Sequence, residues 1–162
     1  MIWLLWLSVI VGVAATVTDL RTRTIPNTLS AGAFLGGIAA RSALYGWSGA
    51  KDALLGGVIG FAVFLLFFVL GGMGGGDVKL MAGFGAILGH PQILTAAMMT
   101  AIMGGLMALV YLAVKKIRRM TRRQQVAHDQ PDRKDFIPYA PAIAAGVLLS
   151  FLSEEELWTS VC

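Results

Sequence analysis

The chain has 162 residues, of which 57% are hydrophobic and only 14% are charged, and its mean hydropathy is +0.75. Soluble domains carry about 25% charged residues, so the composition excludes an ordinary soluble domain. Three stretches, at 2–18, 53–76 and 80–114, contain no charged residue, and a helix needs roughly 20 apolar residues to cross a bilayer. The sequence therefore predicts an all-α, polytopic membrane protein in which residues 1–162 form a single domain.

Residues that could bind a metal are few. The single cysteine, Cys162, permits no disulfide within the chain, and the two histidines, His90 and His128, lack ligand spacing. We therefore expect no metal site and no cofactor. The net charge of +4 does not indicate nucleic acid, because eight of the thirteen basic residues lie between positions 115 and 135, a pattern typical of membrane topology.

Six transmembrane helices are predicted in chain order. They cover about 1–18, 26–40, 53–76, 80–89, 92–114 and 136–153. Pro26 suits the first turn of the second span, where its missing N–H costs nothing. Residues 41–52 are expected to form a short polar connection, and His90-Pro91 is expected to divide the uncharged run at 80–114, which is too long for one helix.

The basic residues also predict the orientation of these spans. If the N-terminus lies outside and the chain crosses six times, eleven of the thirteen basic residues lie inside, and only Arg41 and Lys51 lie outside. The positive-inside rule therefore favours an outer N-terminus and an outer C-terminus. The polar segment at about 115–135 then becomes a cytoplasmic loop that anchors the topology and contacts anionic lipid.

Two acidic residues lie at the margins of apolar spans. A charged group there costs free energy, so the default interpretation of such an acid is a functional one. Asp19 ends the first span, and Asp77 directly follows the glycines Gly74, Gly75 and Gly76. Both boundaries are cytoplasmic in the predicted topology, so the two carboxyl groups can meet at one depth. Two adjacent carboxyls cannot both ionise easily, and a proton shared between them can serve to activate water and protonate an amide leaving group.

Each of these features also has a purely structural interpretation. Asp19 could pair with Arg23 at the helical i+4 position, and Asp77 could cap the helix that follows it. The glycines could serve ordinary helix packing. Lys79 lies two residues after Asp77, so on a helix it would not face that acid, and we expect it to contact headgroups or substrate instead.

Three segments together resemble the type IV prepilin peptidases. The first is Asp19 followed by Ile25-Pro26-Asn27, and the second, Gly74 to Lys79, matches the family's Gly-x-Gly-Asp-x-Lys. The third, Ile137 to Gly146, resembles the Pro-Tyr segment that opens the family's last helix. Gly-x-Gly-Asp alone would be weak evidence, because presenilins and signal peptide peptidases share it.

The resemblance implies an intramembrane aspartic endopeptidase, a hydrolase in which Asp19 and Asp77 form the catalytic pair. Gly74, Gly76, Lys79, Pro26 and Asn27 would bind or position the substrate. The substrates would be prepilins or pseudopilins, cut after a glycine that ends a short basic leader, at the cytoplasmic face of the bacterial inner membrane.

The chain is similar to the short peptidases of tight-adherence (Flp) pilus systems, and archaeal preflagellin peptidases are near relatives. It lacks the amino-terminal zinc-binding cysteine loop of the long family members. The resemblance therefore does not carry their N-methyltransferase activity over to this chain. Partners other than the prepilin would be membrane lipid, and no nucleic acid is expected.

Two other classes of function are compatible with a small helical membrane protein. A small proton- or cation-coupled transporter would use Asp19 and Asp77 as ion ligands, but it needs acids near mid-membrane and an outward path. Both acids here are predicted at one face, and no internal repeat is visible. A purely structural scaffold gives no reason for acids beside glycines.

Overall fold

The computed structural model describes residues 2–22, 24–70, 73–121 and 139–161, and every regular element in this part of the chain is an α-helix. The helices are α1 (Ile2–Thr22), α2 (Asn27–Val69), α3 (Gly75–Leu88), α4 (His90–Thr121) and α5 (Ala140–Val161). Within the described residues, α1, α2 and the His90–Val110 part of α4 are long and apolar enough to cross a membrane. The helical architecture fits the predicted all-α membrane protein, whereas the number of crossings and the orientation stay predictions.

Some sequence predictions concern residues outside the described part of the chain. These are Arg23, Gly71, Gly72, Ile137, Pro138, positions 122–135 of the predicted loop, and Cys162. The interpretation of Asp19 as a partner of Arg23 therefore stays a prediction.

Helix α2 folds back on itself at Gly46. This residue has φ 63° and ψ −146°, a left-handed conformation that glycine adopts without steric cost. Residues on the two sides of Gly46 contact each other, since a Cβ on Gly57 would meet the ring of Phe34. In a straight helix these two residues would lie about 35 Å apart. The halves 27–45 and 47–69 thus form a helical hairpin.

Helix α3 forms the centre of the bundle. Nearly all of its residues from Asp77 to Leu88 are buried, and it packs mainly against both halves of α2. Glycines permit this close approach: a Cβ on Gly37 would lie 2.7 Å from the backbone of Ala86 and Ile87, and Gly56 and Gly85 meet backbone to backbone. From Leu80 to Leu88 the helix is apolar all round, which is typical of a core helix and agrees with this central position.

The end of α3 opposite Asp77 is held by an ion pair between Arg41 and Asp52. The guanidinium also donates to the carbonyl of Leu88 at 2.6 Å, and the backbone N–H of His90 donates to the carboxylate of Asp52 at 3.1 Å. One ion pair thereby satisfies the last carbonyls of α3 and the first amide of α4, groups that have no partner within their own helices. The hairpin of α2 is tied to the α3–α4 junction.

The structure corrects three predicted boundaries. The residues from 41 to 52 are helical apart from the turn at Gly46, because Arg41 and Asp52 have partners inside the bundle and do not need water. The break between α3 and α4 falls at Gly89, with φ 82°, and Pro91 lies in the first turn of α4, where proline is tolerated. Helix α4 continues to Thr121, so the first residues of the predicted loop are helical.

Candidate active site

Asp19 and Asp77 come together at the end of the bundle opposite the Arg41–Asp52 ion pair. Asp19 lies in the last turn of α1, and Asp77 is the third residue of α3. Their residues are only 8% and 7% exposed, and the charge of Asp19 is close enough to act on the carboxyl of Asp77. Two acids that are 58 positions apart in the sequence thus share one buried region, as the predicted topology allows.

The carboxylate of Asp19 is held by the amino terminus of α5. Its Oδ2 accepts a hydrogen bond from the backbone N–H of Ala140 at 3.3 Å. Ala140 is the first residue of α5, so this N–H has no partner within the helix. A helix N-terminus carries a partial positive charge that favours an anionic group. Asp19 therefore links α1 to α5, and the Ala140 amide fixes the orientation of one of its carboxylate oxygens.

The carboxylate of Asp77 is held by its own helix. Its Oδ2 accepts the N–H of Gly74 at 3.2 Å, and the N–H of Asp77 donates to the carbonyl of Gly74, also at 3.2 Å. Gly74 is the N-cap of α3 and has extended backbone angles. The prediction that Asp77 caps the following helix is therefore right only in part, because the N-cap is Gly74 and Asp77, the third residue of α3, binds back to the Gly74 amide. It does not exclude a chemical role, because the same acid is buried beside Asp19.

The segment Ile25-Pro26-Asn27 packs against the first turns of α3. The sequence predicts Pro26 in the first turn of the second span. In the structure Pro26 is instead the N-cap, with extended backbone angles, and α2 begins at Asn27. Lys79 donates from Nζ to the side-chain oxygen of Asn27 at 2.9 Å. The lysine side chain thus meets the side-chain amide of the first residue of α2, which agrees with the prediction that it does not face Asp77.

Gly76 lies against the same segment. A Cβ on Gly76 would lie 3.2 Å from the Cβ of Ile25 and 3.6 Å from its backbone nitrogen, so Val should push the two segments apart. We expect Gly76→Val to remove the peptidase activity that the resemblance implies, while the protein stays inserted in the membrane. Activity and detergent melting temperature measured side by side would check this, with Gly105→Val as control, since nothing lies within 4 Å of a Cβ there. Undiminished cleavage by Gly76→Val would contradict the expectation.

The described residues contain no group of three or more His, Cys, Asp or Glu side chains placed to bind a metal. The pair of carboxyls brings only oxygen ligands, and no histidine or cysteine approaches them in this part of the chain. Structural zinc sites use four Cys or His ligands, and catalytic ones usually three protein ligands.

Sequence reasoning missed the role of Ala140. Small residues at 140–146 permit close packing, because a Cβ on Gly146 would run into Thr100 of α4. The donor to Asp19, however, is a backbone amide, and any residue type except proline supplies one. The only sequence signal was position: Ala140 lies near the start of the predicted last span, at about 136–153.

The site and fold together define a helical membrane protein with two buried carboxyl groups from separate helices at one end of the bundle. The sequence model of the type IV leader peptidase family matches residues 2–109, two thirds of the chain, including both acids. The chain belongs to the type IV leader peptidase family.

Among characterised proteins, the chain is similar to a prepilin leader peptidase/N-methyltransferase of Bacillus subtilis (strain 168). The two are 32% identical over 147 residues, which cover 90% of this chain and 53% of that relative. The chain thus spans about half the length of that protein. No solved structure gives a significant match.

Proposed function

We propose that this chain is an intramembrane aspartic endopeptidase that removes the short basic leader from type IV prepilins or pseudopilins of the Flp type. The observation that carries the proposal is the pair of buried carboxyls, Asp19 and Asp77, brought together from α1 and α3. Membership of the type IV leader peptidase family and the similarity to a prepilin leader peptidase support the substrate class.

The proposed reaction uses the two carboxyls as a base and an acid. The ionised carboxylate takes a proton from a water molecule, whose oxygen attacks the carbonyl carbon of the scissile amide. The protonated carboxyl gives its proton to the amide nitrogen as the C–N bond breaks, so the two groups exchange roles by the end of the cycle. Such acid–base catalysis contributes about 10² to 10⁴-fold to a rate.

The groups around the two acids have positioning roles in this proposal. The amide of Ala140 directs one oxygen of Asp19, and the amide of Gly74 directs one oxygen of Asp77. The other oxygen of each carboxyl accepts no hydrogen bond from the described residues, and in this proposal it binds a water molecule between the carboxyls. Lys79 and Asn27, joined by a hydrogen bond, fix the start of α2 against α3 beside the site. Gly76 leaves room for Ile25 at the same contact.

The experiment that tests the proposal is cleavage of a co-expressed Flp-type prepilin, followed by gel shift and mass spectrometry of the mature N-terminus. We expect one cut after the glycine that ends the leader. Purified protein in detergent should keep this activity in excess chelator, because the two carboxyls need no metal. Absence of cleavage, or a loss that added zinc or magnesium restores, would contradict the proposed mechanism.

The proposal places the site at the cytoplasmic face of a bacterial inner membrane, with six crossings and both termini outside. Cys162 is the only cysteine in the chain, so it is a ready probe of this topology. We expect a membrane-impermeant maleimide to label it in intact spheroplasts. Labelling seen only after the membrane is opened would place the C-terminus inside and contradict six crossings.

The transporter alternative has no observation in its favour. Its two acids would have to lie along a path between the faces of the membrane, yet Asp19 and Asp77 lie together at one end of the bundle.

A further inference from the structure

A groove of about 150 Å³ runs along the outside of the bundle between α1 and α5. Gly12 and Ala144 form its floor, since a Cβ on Gly12 would lie 3.1 Å from the Cβ of Ala144. Its sides include Val9, Val13 and Leu148. None of its lining residues is charged, and Val13 is 58% exposed. The groove is therefore an apolar channel that opens toward the lipid.

The groove is continuous with the candidate active site by helical register. On α1, Thr16 lines the groove, and Asp19 lies three residues further, on a neighbouring position of the same helix surface. On α5, Ala144 lies four residues after Ala140, whose amide contacts Asp19. The two helices that form the groove are thus the two that meet at Asp19. Ten residues separate Val9 from Asp19, which corresponds to about 15 Å of helix.

We propose that this groove binds the apolar helix of the prepilin, the segment that follows the cut and stays with the mature protein. This inference rests on the proposed function. In the proposed reaction the cut falls at the cytoplasmic end of that helix. About the first ten residues after the cut, if helical, must then lie within about 15 Å of the two acids. An uncharged groove that ends at two carboxyls complements a segment that is apolar on one side of the cut and basic on the other. The glycine floor lets a third helix approach closely, as small residues do in membrane interfaces.

Ile10 provides a matched control for Val13. It also lies on α1, one turn away, and is 63% exposed, but it does not line the groove. In a Cys162→Ser background we would introduce Val13→Cys or Ile10→Cys, and place a single cysteine in the first ten residues of the prepilin's apolar helix. Asp77→Asn would keep the substrate uncut while a short bismaleimide is added.

The expected result is an adduct of the chain and the prepilin at Val13→Cys and none at Ile10→Cys. Equal adducts at both positions, or none at Val13→Cys, would overturn the proposal, because lipid alone would then cover the groove. An adduct between two copies of the chain in place of the prepilin adduct would overturn it as well. If the wild-type chain does not cleave the prepilin, the proposed function has failed, and the groove assignment falls with it.

A second variant tests the same groove through kinetics. Val13→Trp should fill the groove and raise KM for the full prepilin about tenfold, equivalent to about 1.4 kcal/mol, with kcat unchanged. Ile10→Trp should change KM within about twofold, as surface substitutions usually do. An unchanged KM for Val13→Trp would overturn the proposal, and a matching melting temperature for the two variants would show that folding is not the cause of a difference.

Discussion

Replacing Asp19 or Asp77 with Asn is expected to lower prepilin cleavage by about a thousandfold or more, since acid–base catalysis by a positioned side chain contributes about 10² to 10⁴-fold. Asn keeps the size of the side chain but cannot exchange the proton that the pair needs. Both backbone contacts, from Ala140 and from Gly74, go to a side-chain oxygen that Asn still has. The measurement is the fraction of processed prepilin over time for each variant.

Asp52→Asn is the matched control for these two substitutions. Asp52 is also a partly buried acid, but it lies at the other end of α3, where it pairs with Arg41. We expect this variant to melt at a lower temperature and to keep its kcat. Turnover by either Asn variant at Asp19 or Asp77 at a rate close to that of wild type would end the two-carboxyl hypothesis. A similar loss in all three variants would mean that activity follows stability only.

The second large effect is expected from Gly37→Val. A Cβ at Gly37 would meet the backbone of α3 at 2.7 Å, and backbone atoms cannot move aside as a side chain can. The hairpin of α2 would have to separate from α3. Overpacking of this kind typically costs 1 to 3 kcal/mol, and we expect about 3 kcal/mol here. Cleavage should fall too, because α3 carries Asp77.

Gly36 is the neighbouring residue on the same helix, and nothing lies within 4 Å of a Cβ there. Gly36→Val should therefore change the free energy of unfolding by no more than about 0.5 kcal/mol. Thermal unfolding in detergent, with both variants at equal protein concentration, compares them directly. Equal destabilisation at the two positions would show that α2 and α3 do not make the close contact described above.

The position of the two acids could be predicted from the sequence, because it depends on the charge pattern and on the uncharged runs between the charges. Asp19 and Asp77 stand out as acids at the edges of apolar segments, and the topology of those segments puts them at one end. The catalytic role of the pair remains a prediction. Their hydrogen-bond partners could not be predicted, because the donors at Ala140 and Gly74 are backbone amides, which the identity of a residue does not reveal.

The interior of the fold was less predictable for a different reason. Arg41 and Asp52 are polar residues at the edge of apolar spans, and such residues usually indicate a water-exposed connection. In the structure they bind the end of α3 and the start of α4, a long-range contact that has no local sequence signature. The break at Gly89, in place of His90-Pro91, follows from the same contact, since a Cβ there would run into both side chains.

The central position of α3 also bears on how the protein is made. Its 14 residues amount to about 21 Å of helix, which is short of the roughly 30 Å hydrocarbon core. A nascent segment of that length is held poorly by lipid alone. The α2 hairpin precedes α3 in the chain, and its Gly37 and Gly56 are positions at which the backbone of α3 packs against it. The main partner of α3 is therefore synthesised before α3 itself, whereas α1 packs mainly against α5, the last of the described helices.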